Sequence, residues 1–390
     1  MASVSERTKI FNESMIRRMT RYANQFDAVN LSQGFPDFDP PPELQEALRV
    51  VISQGPHQYA VTWGAPNFRA ALARKQSRFM GLPIDPDSNI VVTCGSTEAM
   101  MTALMSVINP SDKVIVFSPF YENYGADAIL SGAVPIYVPL KPPQFDFDRK
   151  ALRAAFEQRP KALILCNPGN PTGKVFSKDE LLEIAALAQE FDVWVITDEV
   201  YEHIVYPPHK HTYFASLPGM FDRTISCGSL SKTYSITGWR LGYIIAPLKV
   251  IEAARKVHDF LTVGAPAPLQ EAAVTALLFP DKFYEELQAQ YIRRKDLFLG
   301  ILDSVSLNYT VPQGAYYVMV DISEFQFDND IDFCEWMIRE VGVAAVPGSS
   351  FFKEDIHHLV RLHFAKKEDT LQEVGRRLLK LRSKLTKTRR

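Results

Sequence analysis

Short apolar runs alternate with amphipathic stretches through the middle of the chain. Runs rich in Val, Ile and Leu, each bounded by turn residues, predict buried strands at 90–93, 112–117, 162–166, 193–196 and 224–228. The stretches between these strands carry apolar residues at helical spacing. Such β–α alternation favours a mostly parallel sheet with helices on both faces, and it places the chemistry at the carboxyl ends of the strands.

Helix-start signals accompany this pattern. Ser177 and Glu180 form a predicted capping box at the start of one helix. Another strand leads through Gly95 directly into a helix that begins near Ser96 and Thr97. Free backbone N–H groups and the positive end of the helix dipole make that junction a natural phosphate site. An ordinary N-cap explains the same residues equally well, so both interpretations stay open.

The strand at 224–228 leads into a stretch, 229–243, that places one lysine among small hydroxylated residues. The amine of Lys232 would form a Schiff base with a carbonyl compound if its surroundings made it nucleophilic. Ser229 and the guanidinium of Arg240 offer the donors that the phosphate of a phosphorylated aldehyde needs. For a motif this short, the alternative is a Ser- and Lys-rich surface turn.

The last third of the chain has a different pattern. A helix is predicted over 283–302, and strands at 315–320, 343–346 and 358–364 indicate a smaller sheet with helices against it. Arg361 lies in the middle of the last strand, where an unpaired charge would be costly. Its partner is therefore either an anionic ligand or a buried structural carboxylate, and the sequence leaves both open.

The segment before the first buried strand is irregular. Loop 30–42 contains Gly34 and four prolines, which exclude regular structure and make the loop stiff. It is either a linker or a loop whose backbone approaches a ligand closely at Gly34. Tyr59 follows in an aromatic-rich loop, where a packed or interface tyrosine is the simplest interpretation.

Composition narrows the classes of function. The chain has 390 residues, 46% of them hydrophobic, and a net charge of −2, so neither nucleic acid nor an acidic membrane surface is a predicted partner. Its four cysteines show no paired spacing, which favours a reduced compartment over a disulfide or zinc framework, and no metal site is predicted. No secretory signal or membrane-spanning run is recognised, so a cytoplasmic enzyme is expected.

Several motifs, taken together, resemble the signature of fold-type I, pyridoxal-phosphate-dependent aminotransferases of class I/II. They are Asn-Pro-Gly-Asn-Pro-Thr-Gly at 167–173, Asp-Glu-Val-Tyr at 198–201, Ser-Leu-Ser-Lys at 229–232 with Arg240, and Arg361. The resemblance covers nearly the whole chain. Residues 32–37 and 58–59 are similar to the branch that contains kynurenine, glutamine and methionine aminotransferases.

This resemblance implies an α/β fold with two domains and an arm. A large cofactor-binding domain with a mostly parallel sheet would occupy 46–285. A smaller α/β C-terminal domain at 286–390 would be joined by the N-terminal arm at 1–45. The implied cofactor is pyridoxal 5′-phosphate, and the implied assembly is a homodimer with a shared active site.

The resemblance also implies a role for each motif residue around the cofactor ring. Lys232 would hold the cofactor as an internal aldimine and move the proton between the substrate Cα and the cofactor. Asp198 would pair with the protonated ring nitrogen, which keeps the ring an acceptor of electrons from Cα. Tyr201 and Asn170 would hydrogen-bond the phenolic oxygen of the ring, and Tyr121 would stack on its face.

Two anionic groups would be held at the edges of that site. The residues implied for the phosphate are Gly95, Ser96, Thr97, Ser229 and Arg240. Tyr59 would reach the phosphate of the neighbouring subunit. Arg361 would bind the substrate α-carboxylate bidentately, with Asn170 beside it and the Gly34 loop closing over it, so that the Cα–H bond is oriented for cleavage.

The implied reaction is ping-pong transfer of the α-amino group of an L-amino acid to a 2-oxo acid. A cysteine-conjugate β-lyase on the same scaffold is the alternative, since it would share the lysine, aspartate and arginine. A non-catalytic binding module is a second alternative. The preferred donor and acceptor stay open, and from the sequence no second arginine can be assigned to a distal substrate carboxylate.

Overall fold

The computed structural model describes residues 3–388. Its strands are β1 (Val29–Asn30), β2 (Ile90–Thr93), β3 (Lys113–Ser118), β4 (Val134–Lys141), β5 (Asp146–Phe147), β6 (Ala162–Cys166), β7 (Trp194–Asp198), β8 (Thr224–Ser229), β9 (Gly242–Ile245), β10 (Asn308–Tyr309), β11 (Tyr317–Asp321), β12 (Val343–Ala344), β13 (Val346–Pro347) and β14 (Leu359–His363). Its α-helices are α1 (Met15–Gln25), α2 (Pro42–Gln54), α3 (Pro66–Met80), α4 (Ser96–Val107), α5 (Asn123–Leu130), α6 (Arg149–Glu157), α7 (Lys178–Glu190), α8 (Leu248–Thr262), α9 (Ala267–Leu277), α10 (Asp281–Ser304), α11 (Asp330–Trp336), α12 (Glu368–Leu378) and α13 (Leu381–Thr388). The strands predicted for the middle of the chain are all present.

The larger sheet contains eight strands within the described residues, in the order β2-β9-β8-β7-β6-β3-β4-β5. The five strands from β8 to β4 in that order are parallel to one another. The strands β2, β9 and β5 pair in antiparallel fashion. β6, β7 and β8 are buried along almost their whole length, as expected for strands with helices on both faces. The prediction of a mostly parallel sheet is confirmed.

The helix-start predictions are confirmed at two positions. The Ser177 hydroxyl accepts a hydrogen bond from the Glu180 N–H (3.2 Å), and the Glu180 carboxylate accepts one from the Ser177 N–H (2.8 Å), so α7 begins with a complete capping box. At the start of α4, Gly95 occupies the N-cap position with φ +82° and makes no side-chain cap hydrogen bond. The first N–H groups of α4 are therefore left for another partner.

The smaller sheet is antiparallel, with the order β10-β11-β14-β13 among the described residues. The strand predicted at 343–346 is divided in two because its halves pair differently. β12 pairs in parallel with β1, which connects the N-terminal arm to the C-terminal part of the chain, whereas β13 joins β14. The domain bounds 1–45, 46–285 and 286–390 stay a prediction, and residues 1–2 and 389–390 lie outside the described residues.

Parallel pairing brings the predicted chemistry to one edge of the larger sheet. In the register, Cys166 at the end of β6 lies beside Asp198 at the end of β7, and Asp198 lies beside Cys227 of β8. The loops that follow these three strands therefore leave the sheet side by side. Among the described residues, none of the helices has the length and apolar character needed to cross a membrane.

Candidate active site

A cavity of about 860 Å³ opens at this edge of the larger sheet. The predicted site residues that line it are Gly34, Ser96, Thr97, Tyr121, Asn170, Asp198, Tyr201, Lys232, Arg240 and Arg361. Gly95 and Ser229 are chain neighbours of the lining segments. Tyr59 lies elsewhere on the surface of this chain, with 85% of its area exposed. One cavity thus unites residues that are more than 300 positions apart in the sequence.

Lys232 lies in the turn that follows β8. Its Nζ donates a hydrogen bond to the carbonyl oxygen of Gly34 (3.3 Å). Burial lowers the pKa of the Lys232 amine to about 8; the charge of Asp198 opposes this shift, whereas Arg240 and Arg361 add to it. A larger fraction of this amine is therefore neutral near pH 7 than for an ordinary lysine, and the neutral amine is the nucleophile.

Asp198 is the last residue of β7 and is only 6% exposed. Its carboxylate accepts hydrogen bonds from the Tyr124 hydroxyl (2.6 Å) and the Val200 N–H (3.3 Å). Burial raises the pKa of Asp198, while Tyr124, Val200 and the charge of Lys232 oppose the rise. A cationic group placed against Asp198 would stabilise its ionised form.

Three tyrosines enclose the amine side of the cavity. The hydroxyls of Tyr201 and Tyr317 are 2.8 Å apart, and the Tyr316 hydroxyl donates to the Gly34 carbonyl oxygen (2.9 Å). A Cβ atom on Gly34 would lie 2.2 Å from the Tyr317 hydroxyl oxygen, so only glycine fits at this position. Loop 30–42 therefore forms part of the cavity wall and is not a linker, and the close approach of Gly34 to a ligand stays a prediction.

Arg361 is fully buried on β14. Its Nη1 donates to the Asn170 side-chain oxygen (2.7 Å) and its Nη2 to the Ser32 carbonyl oxygen (2.6 Å). Among the described residues, no hydrogen-bond acceptor meets its Nε and no carboxylate forms an ion pair with it. Because a buried guanidinium without a counter-ion is costly, the structure favours the anionic-ligand alternative for Arg361.

The start of α4 and Arg240 form a second anion-binding corner. Ser96 and Thr97 begin α4 and line the cavity. A Cβ atom on Gly95 would lie 2.3 Å from Nη2 of Arg240, so the missing side chain is what lets the guanidinium approach the helix start. Arg240 donates to the carbonyl oxygens of Thr237 (3.0 Å) and Cys94 (3.4 Å), which hold it there. This donor set fits a phosphate.

The structure adds site residues that the sequence patterns did not single out. Tyr124 lies three positions after Tyr121, and Tyr316 and Tyr317 belong to the strand predicted at 315–320. Asp127, one turn after Tyr124 on α5, is 5% exposed and lines the cavity. Among the described residues, its Oδ2 has no hydrogen-bond partner. Only helical spacing from Tyr124 could have indicated Asp127 in advance.

The cavity therefore fits pyridoxal phosphate in each of its parts. The α4 corner suits the phosphate, Asp198 suits a ring nitrogen that carries a proton, and the Lys232 amine suits the aldehyde. Tyr121 lines the same cavity and offers an aromatic face. Arg361 remains available for a substrate carboxylate.

Comparison with known proteins agrees with this geometry. The family model described as aminotransferase class I and II matches residues 27–378. The chain belongs to this family. A methionine aminotransferase of Escherichia coli (strain K12) is 37% identical over 369 residues, covering 94% of this chain and 96% of that protein. Kynurenine–oxoglutarate transaminase 1 of Homo sapiens is 36% identical over 400 residues, covering 94% and 95%.

Solved structures confirm the fold of this aminotransferase. N-succinyldiaminopimelate aminotransferase from Mycobacterium tuberculosis superposes with a TM-score of 0.93 at 36% identity, covering 97% of this chain and 99% of that one. The structure of an Escherichia coli protein with an identified methionine aminotransferase function also gives a TM-score of 0.93 at 35% identity, covering 97% of this chain and 99% of that one. The predicted fold type I and the predicted methionine and kynurenine branch are both confirmed.

The activity follows from this membership. The protein is a pyridoxal-phosphate-dependent aminotransferase that moves the α-amino group of an L-amino acid to a 2-oxo acid. The relatives are named as aminotransferases, and nothing in the comparisons supports the alternative of a carbon–sulfur lyase.

Proposed function

We propose that the residues gathered in the cavity have the roles that their chemistry suggests, with Lys232 as the catalytic residue. The observation that carries this proposal is the placement of the Lys232 amine, the Asp198 carboxylate and the unpaired Nε of Arg361 in one cavity. When bound, pyridoxal phosphate supplies an aldehyde for covalent attachment and a ring that accepts electrons from the substrate Cα.

The side chains of this protein then do the positioning and the proton transfer. The Lys232 amine would accept the proton from the substrate Cα and later donate it, because its lowered pKa makes it an effective base near neutral pH. The Asp198 carboxylate, which accepts a hydrogen bond from Tyr124, would face the ring nitrogen and favour its protonated form. Tyr201 and Asn170 would hydrogen-bond the phenolic oxygen, and Tyr121 would cover the ring face.

Two arginines place the anionic groups. Arg240 holds the phosphate together with Gly95, Ser96, Thr97 and Ser229. Arg361 binds the α-carboxylate of the substrate with two parallel hydrogen bonds, while Asn170 keeps the guanidinium in position. Gly34 closes the site because its carbonyl oxygen already contacts both Lys232 and Tyr316. Fixing the carboxylate orients the Cα–H bond towards the amine.

The proposal is tested by replacing the lysine. Lys232→Ala is expected to abolish covalent attachment of the cofactor and to reduce kcat by at least about 10³-fold, since a covalent and a proton-transfer role are lost together. Borohydride reduction of the wild-type protein with peptide mapping should label Lys232. The buried Lys75 and Lys174 serve as internal controls, because each already pairs with a carboxylate. Label on either control, or normal turnover by the variant, would contradict the proposal.

We also propose a cytoplasmic homodimer with shared sites. Tyr59 and Phe260 are 85% and 92% exposed in the single chain, which leaves both side chains free to pack against a partner chain. In the dimer Tyr59 would reach the partner's phosphate, so a mixed dimer of Lys232→Ala and Tyr59→Ala chains would contain one intact site. Its activity per intact Lys232 should therefore exceed that of the Tyr59→Ala dimer, whereas the Lys232→Ala dimer should be inactive. The four cysteines are all free, which is consistent with a reducing compartment.

A further inference from the structure

The first turn of α1 forms part of the mouth of the active-site cavity. The Glu122 carboxylate accepts hydrogen bonds from the Ser14 hydroxyl (2.5 Å) and from the N–H groups of Met15 (3.0 Å) and Ile16 (3.3 Å). Glu122 directly follows Tyr121, which lines the cavity. These bonds hold the start of α1 at the site, and Arg17 lines the cavity there.

The three arginines of α1 differ in their partners. Arg18 pairs with Glu335 (2.7 Å) and Arg21 with Glu13 (2.7 Å). Within the described part of the chain, the Arg17 guanidinium makes neither an ion pair nor a hydrogen bond. The nearby acids are not available to it, since Glu13 is held by Arg21 and Glu122 by the start of the helix. Arg17 is thus a free cation at the mouth of the substrate cavity.

The cavity is also lined by more arginines than the cofactor phosphate and the substrate α-carboxylate require. Three arginines line it among the described residues: Arg17, Arg240 and Arg361. The phosphate accounts for Arg240 and the substrate α-carboxylate for Arg361, so the third guanidinium has no assigned anion. The acids that line the cavity are Glu98, Asp127 and Asp198. Glu98 is taken by His258 (2.5 Å), and Asp198 accepts from Tyr124 and would pair with the ring nitrogen. Asp127 is buried on α5, and this burial raises its pKa and favours its neutral form.

We propose that Arg17 binds the distal carboxylate of a dicarboxylic substrate, a 2-oxo acid or amino acid whose side chain ends in a carboxylate. The proposal rests on the proposed role of Arg361, which holds the α-carboxylate of the same molecule. Arg17 acts by binding and selecting the substrate and takes no part in proton transfer. Exposed ion pairs are weak, but a substrate that fills the cavity excludes water and strengthens the pair.

The test compares two acceptors of equal chain length, 2-oxoglutarate and 2-oxopentanoate, of which only the first has a distal carboxylate. Arg17→Gln in the holoenzyme is expected to lower kcat/KM for 2-oxoglutarate about 10-fold, mainly through KM, and to leave 2-oxopentanoate unchanged. Arg17→Lys should retain part of the preference, because the charge remains without the planar fork. Arg18→Gln is the matched control: Arg18 is on the same helix, does not line the cavity and pairs with Glu335, so both acceptors should be unaffected.

A binding measurement gives a second result that does not depend on turnover. Calorimetric titration of the holoenzyme with glutarate should show weaker binding in Arg17→Gln than in the wild type, whereas pentanoate should show no difference. Equal losses for both acceptors, or glutarate binding that matches the wild type, would overturn the role of Arg17. Absence of turnover in the wild type with either acceptor and any amino donor would instead count against the proposed function. In that case the glutarate titration would still test whether Arg17 binds a distal carboxylate.

Discussion

Two buried carboxylates, Asp198 at the end of β7 and Glu202 in the segment that follows it, have different surroundings. Glu202 accepts hydrogen bonds from Lys75 (2.7 Å), Gln76 (3.1 Å) and the Tyr213 hydroxyl (2.7 Å). Burial alone would raise its pKa, but the charge of Lys75 takes the pKa of Glu202 well below its ordinary value. Asp198 has hydroxyl and N–H donors only, and its pKa is raised.

This difference separates a structural acid from a functional one. Lys75 and Glu202 are both 3% exposed and neutralise each other within the protein. The pair therefore links α3 to the segment after β7 without any ligand. Asp198 faces the cavity and has no bonded cation in the described chain. The ionised form of such a buried carboxylate is stable only when a ligand supplies a positive charge beside it. A protonated ring nitrogen would supply that charge.

The largest effect on stability is expected at the structural acid. Glu202→Gln keeps the shape of the side chain but leaves the buried Lys75 without its counter-charge, which should lower the free energy of unfolding by about 3–5 kcal/mol. Activity per folded molecule should change much less, because Glu202 does not line the cavity. Urea denaturation of the variant beside kcat measurements at low temperature would check both.

The control for that prediction is the double variant Lys75→Met with Glu202→Gln. It removes both charges, so much of the lost stability should return. A double variant as unstable as Glu202→Gln alone would mean that packing or the hydrogen bonds from Gln76 and Tyr213 matter more than the ion pair.

The functional acid should behave in the opposite way. Asp198→Asn is expected to reduce kcat by about 10²–10³-fold, the usual cost of losing one preorganised electrostatic contact with the reacting system. The stability of the cofactor-free protein should fall by no more than about 1 kcal/mol, since the fold does not favour the ionised form of Asp198. Steady-state kinetics and denaturation of the same preparation supply both numbers. Near-normal activity would show that the ring nitrogen is not balanced by Asp198.

The sequence is sufficient to predict those structural features that depend on residues close together along the chain. The strand at Ala162–Cys166, the capping box at Ser177 and the glycine at the start of α4 each follow from a local rule. The same holds for Asp198, which ends β7, and for Lys232, which lies in the turn that follows β8. These elements therefore agree closely between pattern and structure.

The remaining features depend on packing between distant segments. Tyr317 meets Tyr201 because the smaller sheet folds against the larger one, although the two tyrosines are 116 positions apart in the sequence. Arg17 differs from Arg18 and Arg21 only in which acids lie within reach, and helical periodicity alone gives no sign of that difference. The division of strand 343–346 likewise depends on its pairing with β1 and β14. Such pairings come from tertiary contacts that a single sequence does not display.

The smallest of the expected effects concerns Asp127, a second buried acid that lines the cavity. Burial, with a contribution from Asp198, raises the pKa of Asp127 to about 7, against a model-peptide value near 4. The folded protein thus holds this proton more tightly than the unfolded chain, so stability is fully present below about pH 4 and falls as the pH rises to about 7. At about 1.4 kcal/mol per pKa unit, the loss in the free energy of unfolding would be about 4 kcal/mol at most, and contact of Asp127 with cavity water should reduce this loss to about 2 kcal/mol. Asp127→Asn removes the titration, so in urea denaturation of the cofactor-free protein the variant should gain stability over the wild type between pH 5 and 8; parallel curves would mean that Asp127 is already ionised in the folded protein.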